Sequence, residues 1–295
     1  MSSMVNSKDE WKTVAPRRKG KRKVKYVRQG GSLSNKSAGN SVSYTKEEYE
    51  TVIFDKVLLE KTSMLDTPFW NRIVQILGGV ERMERTTSVV AYGMGSFETK
   101  NAIVQMGCLL NLVDYLRRRN ESCSVAVEIF DPVMSELDVG LVEKLGFACV
   151  KENENCKRIA KESTLFFLPH GDIFMYGNLL ETNIESDTLE NIILVGNGLT
   201  NYIENASRLG SGLAFQNHQE ETQLSLKSIC KVREILVENV VHRHRIAPPK
   251  QQIRPGATGA KVEGDKQQQG ISLDGNLERA FNDTSICTFA RRKQQ

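Results

Sequence analysis

The sequence predicts an α/β domain: a three-layer, mainly parallel, doubly wound (Rossmann-like) sheet with helices ahead of it and disordered basic ends. Three observations carry this. From residue 88 onward short apolar runs alternate with amphipathic stretches, the order expected of a parallel sheet covered on both faces. Ala102, Ile103, Met106, Leu109, Leu110, Val113 and Leu116 form one long apolar helical face, closed by the basic Arg117–Arg119. Both ends of the chain lack hydrophobic periodicity and are basic.

The elements follow in order. Residues 1–44 run from a basic stretch into Gly, Ser and Asn, and read as a disordered arm and linker. Order begins at Thr45, where T-K-E-E makes a capping box with Glu48 and Tyr49, Val52, Ile53 and Val57 share a helical face. A second helix is expected from Asp66, with Pro68 in its first turn, ending at Gly78-Gly79. Strands are expected at 88–92, 124–130, 147–150, 164–168 and 191–195. Ser135 caps one intervening helix that Gly146 stops, a turn lies near 155–160, and a helix covers 172–182. Leu226, Ile229, Arg233, Leu236 and Val240 predict a last helix over 224–241. The domain therefore spans 45–245, and 246–295 is a mostly disordered tail, broken near Leu277.

Charge sharpens the picture. Residues 1–30 carry ten Lys/Arg against two acids, residues 31–241 carry twenty against twenty-nine, and residues 242–295 carry ten against five. An acidic body disfavours a basic nucleic-acid-binding domain, and the basic arm is a separate matter. Within that arm Arg17, Arg18, Lys19, Lys21, Arg22 and Lys23 are dense enough to be read by a nuclear import receptor. No run approaches the ~18 apolar residues of a bilayer span, and the first thirty residues hold no secretory apolar core. Membrane and secreted readings are disfavoured on those grounds. The six cysteines form no C-x-x-C pair, which suits reduced thiols. His242 and His244 near Cys230 make a poor metal site, and no metal is expected.

In an open parallel sheet, ligands bind beyond the carboxyl ends of the strands. Candidate residues sit at four such ends. The first strand runs into Y-G-M-G-S-F, where Gly93, Gly95 and Ser96 precede the long helix and can bring backbone N–H groups to an anion. The second ends at Asp131-Pro132, where a carboxylate can meet ribose hydroxyls. It follows Gly93 by 38 residues, against about 20 in the dinucleotide fold. The fourth ends in L-P-H-G with His170, the fifth in V-G-N-G with Asn197. The plainer readings are tight turns at the glycines and Asn197, a turn-starting Asp, and a capping His170. There is no Walker loop, no G-x-S-x-G and no H-E-x-x-H.

Together the segments Y-G-M-G-S-F (92–97), I-F-D-P (129–132), K-L-G (144–146), E-N-E (152–154), T-L-F-F-L-P-H-G (164–171), Y-G-N-L-L (176–180), V-G-N-G (195–198) and F-N-D-T-S (281–285) resemble the Sensitivity to Red Light Reduced family. The resemblance is strongest over 85–205, and the basic start with its Trp looks most like plant members. It implies a regulator of phytochrome B signalling, circadian clock function and flowering time, in nucleus and cytoplasm, working with signalling proteins of the light and clock pathways. Fungal and animal relatives are linked to haem metabolism and cell growth. No catalytic activity or cofactor comes with the resemblance. The chain departs from the family at Gly171, where a Cys or Glu-like residue is common, and in its I-C-T-F-A-R-R ending, where a His-aromatic ending is usual. A regulator binding a partner or small ligand is the first reading. An enzyme holding a nucleotide-like cofactor at the glycine loop is the alternative, with Asp131 on the ribose and His170 moving a proton. A nucleic-acid binder using the arm is a third.

Overall fold

The computed structural model describes residues 45–120, 124–209, 220–243 and 275–291. The expected disorder of 1–44, the arm residues Arg17–Lys23, Cys123, His218, His244 and most of the expected tail lie outside the described residues.

Helix α1 (Lys46–Met64) starts at the expected capping box: the Thr45 hydroxyl accepts from the Glu48 N–H at 3.2 Å while the Glu48 carboxylate accepts from the Thr45 N–H at 2.9 Å. Helix α2 (Pro68–Gly78) starts two residues later than expected, with Thr67 rather than Asp66 at its boundary. Proline keeps its preceding residue out of the helical region and is itself suited to a first helical position. Thr67 therefore cannot be helical, and its side chain caps the Trp70 N–H instead. A 3-10 turn at Glu81–Arg85 leads into the sheet.

The strands are β1 (Ser88–Tyr92), β2 (Ala126–Phe130), β3 (Ala148–Cys149), β4 (Thr164–Leu168) and β5 (Ile192–Gly196), all parallel. Between and after them come α3 (Lys100–Arg119), α4 (Glu136–Lys144), α5 (Ile173–Glu185) and α6 (Leu199–Leu209). The fold then departs from expectation. The predicted helix over 224–241 is two elements: α7 (Glu220–Lys231) and a strand, β6 (Leu236–Arg243). Leu226 and Ile229 are buried on α7, as the helical spacing requires. Leu236 and Val240 instead belong to a strand whose ladder partner is a distant segment, β7 (Asp283–Phe289). Periodicity within one segment cannot register pairing with another. The same pairing corrects the boundary at 245: residues 275–291 supply α8 (Gly275–Ala280) and β7, which lies inside the sheet rather than in a tail.

The sheet order is β3-β2-β1-β4-β5-β7-β6, with β7 antiparallel to both neighbours. Alternation along the strands divides the core in two. Val89, Ala91, Leu165, Phe167, Ile193 and Val195 pack with α1, α2, α3 and α8. Val90, Tyr92, Phe166, Leu168, Ile192 and Leu194 pack with α5, α6 and α7. Apart from Ser88 and Thr164 at their first positions, β1, β4 and β5 thus carry no polar alternation, because both faces are covered. Among the described residues, no helix is long and apolar enough to cross a membrane. The five described cysteines are free thiols, and no His/Cys/Asp/Glu group that could hold a metal ion occurs among the described residues.

Candidate functional site

Register sets the site. Tyr92 pairs with Phe130, and Leu168 with Gly196, so the segments after β1, β2, β4 and β5 leave the sheet at the same edge. The six candidate residues all lie just beyond these strands, and hydrogen bonds sort them into two groups.

The first group is the glycine loop. Gly93 and Gly95 both adopt φ of +72°, a left-handed conformation that side-chain-bearing residues disfavour. The Gly93 N–H donates to the Phe130 carbonyl at 3.2 Å. Asp131 holds the loop from β2: one carboxylate oxygen accepts from the Gly95 N–H at 2.7 Å, the other from the Val133 N–H at 2.9 Å. Ser96 turns the chain toward α3, its carbonyl accepting from the Thr99 hydroxyl at 3.0 Å and its hydroxyl from the Glu98 N–H at 3.3 Å.

Behind this loop stands a carboxylate that sequence reasoning missed. Asp138 is wholly buried. One oxygen accepts from the Phe97 N–H at 3.1 Å and the Tyr49 hydroxyl at 2.6 Å; the other accepts from the Ser135 N–H at 2.9 Å and hydroxyl at 3.0 Å. It therefore joins α1, the glycine loop and the start of α4. Burial and the Asp138 carboxylate together push the Tyr49 hydroxyl well above its usual range. The S-x-x-D spacing of Ser135 and Asp138 was the available signal, since it is a capping-box pattern.

The second group lies at the ends of β4 and β5. His170 is exposed and left-handed (φ +59°), and its N–H donates to the Asn197 side-chain oxygen at 3.2 Å. The Asn197 amide nitrogen donates to the Gly171 carbonyl and the Tyr202 hydroxyl, each at 3.3 Å. The buried Tyr176 hydroxyl ties the two strand ends together, donating to the Leu168 carbonyl at 2.6 Å and accepting from the Asn197 N–H at 2.9 Å. Met175 packs over Gly93, its methyl carbon 3.3 Å from where a Cβ would stand, so the first turn of α5 abuts the glycine loop.

Two further clusters fix the surroundings. Tyr92 donates to Glu154, which Arg158 also grips, at 2.7 and 2.8 Å, while reaching Glu128 at 2.7 Å. Burial raises the Glu154 carboxyl, but the Arg158 and Tyr92 hydrogen bonds outweigh it and hold the group below its usual range. Glu238 of β6 accepts from the Thr200 N–H at 2.7 Å and hydroxyl at 2.8 Å, and from Ser285 at 2.9 Å and Arg243 at 3.0 Å. This binds F-N-D-T-S to the segment after V-G-N-G, a contact that needs β7 in the sheet. The quoted E-N-E and F-N-D-T-S segments thus act as supports around the edge.

The arrangement offers a loop of two left-handed glycines braced by Asp131, beside the exposed His170, whose backbone N–H is held by Asn197. A family model described as the SRR1 domain matches residues 38–288. The protein SENSITIVITY TO RED LIGHT REDUCED 1 of Arabidopsis thaliana is 29% identical over 166 residues, 56% of this chain and 52% of that protein. An SRR1-like protein of Mus musculus is 31% identical over 110 residues, 37% of this chain and 43% of that protein. The chain spans about half the length of the curated relatives it matches. No solved structure matches it.

Proposed function

The chain belongs to the SRR1 domain family, and from that membership we propose that it is a regulator of red-light signalling. The observation that carries this reading is its similarity to the Arabidopsis protein named for reduced sensitivity to red light. In this reading the protein serves phytochrome B signalling, with effects on the circadian clock and flowering time. It acts by binding a signalling protein or small ligand at the loops bearing Gly93, Gly95, Ser96, Asp131, His170 and Asn197.

The test is restoration of the red-light response in Arabidopsis plants lacking the similar protein. The unmodified chain is expected to restore it. His170→Ala is expected to fail while changing stability by less than about 1 kcal/mol, because the side chain is exposed and only its backbone is engaged. A folded chain that restores nothing counts against the regulator; a fully active His170→Ala moves the binding surface away from this edge.

A second reading, favoured by the two left-handed glycines beside Asp131, is an enzyme with a nucleotide-like cofactor in this loop. Thermal stabilisation by one member of a panel of nucleotides, S-adenosylmethionine and haem would favour it.

Nuclear and cytoplasmic residence is part of the proposal, with the arm as import signal. Changing Arg17, Arg18, Lys19, Lys21, Arg22 and Lys23 to Ala is expected to move a fusion too large for passive entry into the cytoplasm. An unchanged nuclear fraction rejects the signal.

A further inference from the structure

At the opposite end of the strands lies a cavity of about 480 Å³, between α2, the 3-10 turn and the β6–β7 edge. Its place follows from Arg82, whose Nη2 donates to the Phe289 carbonyl at the end of β7 and whose carbonyl accepts from Ser163, just before β4. Arg72, Arg82 and Arg85 all line it. Among the described residues none of the three forms an ion pair.

Arg72 is oriented by its own helix and the edge strand, its Nη1 donating to the Gln75 side chain at 2.8 Å and its Nε to the Val240 carbonyl at 3.4 Å. Arg82 is less well served. Its Nη1 is buried without a hydrogen-bond partner among the described residues. An unpaired buried donor on a cation costs more than an unpaired neutral one. Burial, and then the charge of Arg85, depress the Arg82 guanidinium below its usual range. An anion in the cavity would offset the repulsion between the Arg82 and Arg85 guanidinium groups.

The walls narrow the ligand class. Among the lining residues three guanidinium groups face the one carboxylate of Glu81, while Glu190 acts on Arg82 from outside the lining. A phosphate monoester at neutral pH carries about −1.5 to −2, and guanidinium forks match its oxygens in paired hydrogen bonds. The volume lies in the range of about 300–1,000 Å³ usual for small-molecule sites, and exceeds the needs of a bare ion. Ile76 and the half-exposed Val237 offer apolar wall to an organic portion.

We propose that this cavity binds a small phosphate-bearing molecule through Arg72, Arg82 and Arg85. The site is separate from the loops at the carboxyl edge, so it stands or falls independently of the regulator reading.

The probes are inorganic pyrophosphate and adenosine monophosphate, applied to the full chain at low salt. Calorimetry measures binding, and hydrogen–deuterium exchange locates it. Saturable binding with slowed exchange across 72–85 is expected in the unmodified chain. At least a tenfold loss of affinity is expected in Arg72→Gln/Arg85→Gln. Tighter binding of the nucleotide would identify an organic phosphate as the natural class, and tighter pyrophosphate binding an inorganic one; either supports the site. The basic arm also attracts anions, so the chain with Arg17, Arg18, Lys19, Lys21, Arg22 and Lys23 changed to Ala is expected to retain the protection at 72–85. No saturable binding, or binding that leaves exchange at 72–85 unchanged, overturns the proposal. Because exchange is read on the unmodified chain, misfolding of the double variant cannot mask that result.

Discussion

Asp138→Ala is expected to lower the unfolding free energy by about 3 kcal/mol. Its carboxylate has no exposed surface and accepts four hydrogen bonds, from Tyr49, Phe97 and twice from Ser135. A hydrogen bond to a charged group contributes about 1.5–3 kcal/mol. Its loss also strands the Tyr49 hydroxyl and the Phe97 N–H in the interior. Chemical denaturation of wild type and variant measures the change. Because Phe97 immediately follows the glycine loop, faster amide exchange at residues 93–99 should accompany it, while residues 164–171 stay protected. A loss below about 1 kcal/mol would mean that Asp138 is an ordinary helix cap and does not brace the loop.

Gly177→Ala is expected to be of similar size for a different reason. Helix α5 crosses α7 so closely here that an added Cβ would stand 2.5 Å from the Ser225 Cβ and 2.6 Å from its Cα. No rotamer of Ser225 relieves a clash with its own backbone, so α7 must move. Overpacking of this sort costs about 1–3 kcal/mol, and the upper end applies because backbone must shift. A fall of roughly 6–12 °C in melting temperature corresponds to about 3 kcal/mol at this chain length. Gly146→Ala is the comparison. It has φ of +78° but nothing within 4 Å of the added atom, so only the left-handed strain of about 1–2 kcal/mol applies. Equal melting temperatures for the two variants would remove close helix packing as the cause.

The elements most legible in the sequence are those whose determinants are local. β1 and β4 occur where their apolar runs place them, and the capping box at Thr45 forms as its spacing requires. The candidate residues were legible for the same reason, since a glycine pair or an Asp-Pro at a strand end is a local pattern. Their supports were not. Asp138 meets Tyr49 across 89 residues of chain, and Glu238 meets Ser285 across 47. Arg72, Arg82 and Arg85 show no distinctive spacing, and they share a cavity only because β6 and β7 complete its wall.

By itself, the sequence determined the α/β alternation, the parallel run from β1 to β5 and the edge at which the glycine loop, Asp131, His170 and Asn197 emerge. Apolar periodicity, capping and turn chemistry act over a few residues, and short parallel crossovers leave little freedom in how neighbouring strands pair. Only the tertiary structure decided that Leu236–Arg243 is a strand and that Asp283–Phe289 enters the sheet between β5 and β6. β6 has its one ladder partner in β7, and β7 pairs on one side with β5 and on the other with β6. Neither segment has a partner within its own stretch of chain, so the choice of strand over helix or coil rests on a pairing that exists only once both have been brought to the sheet.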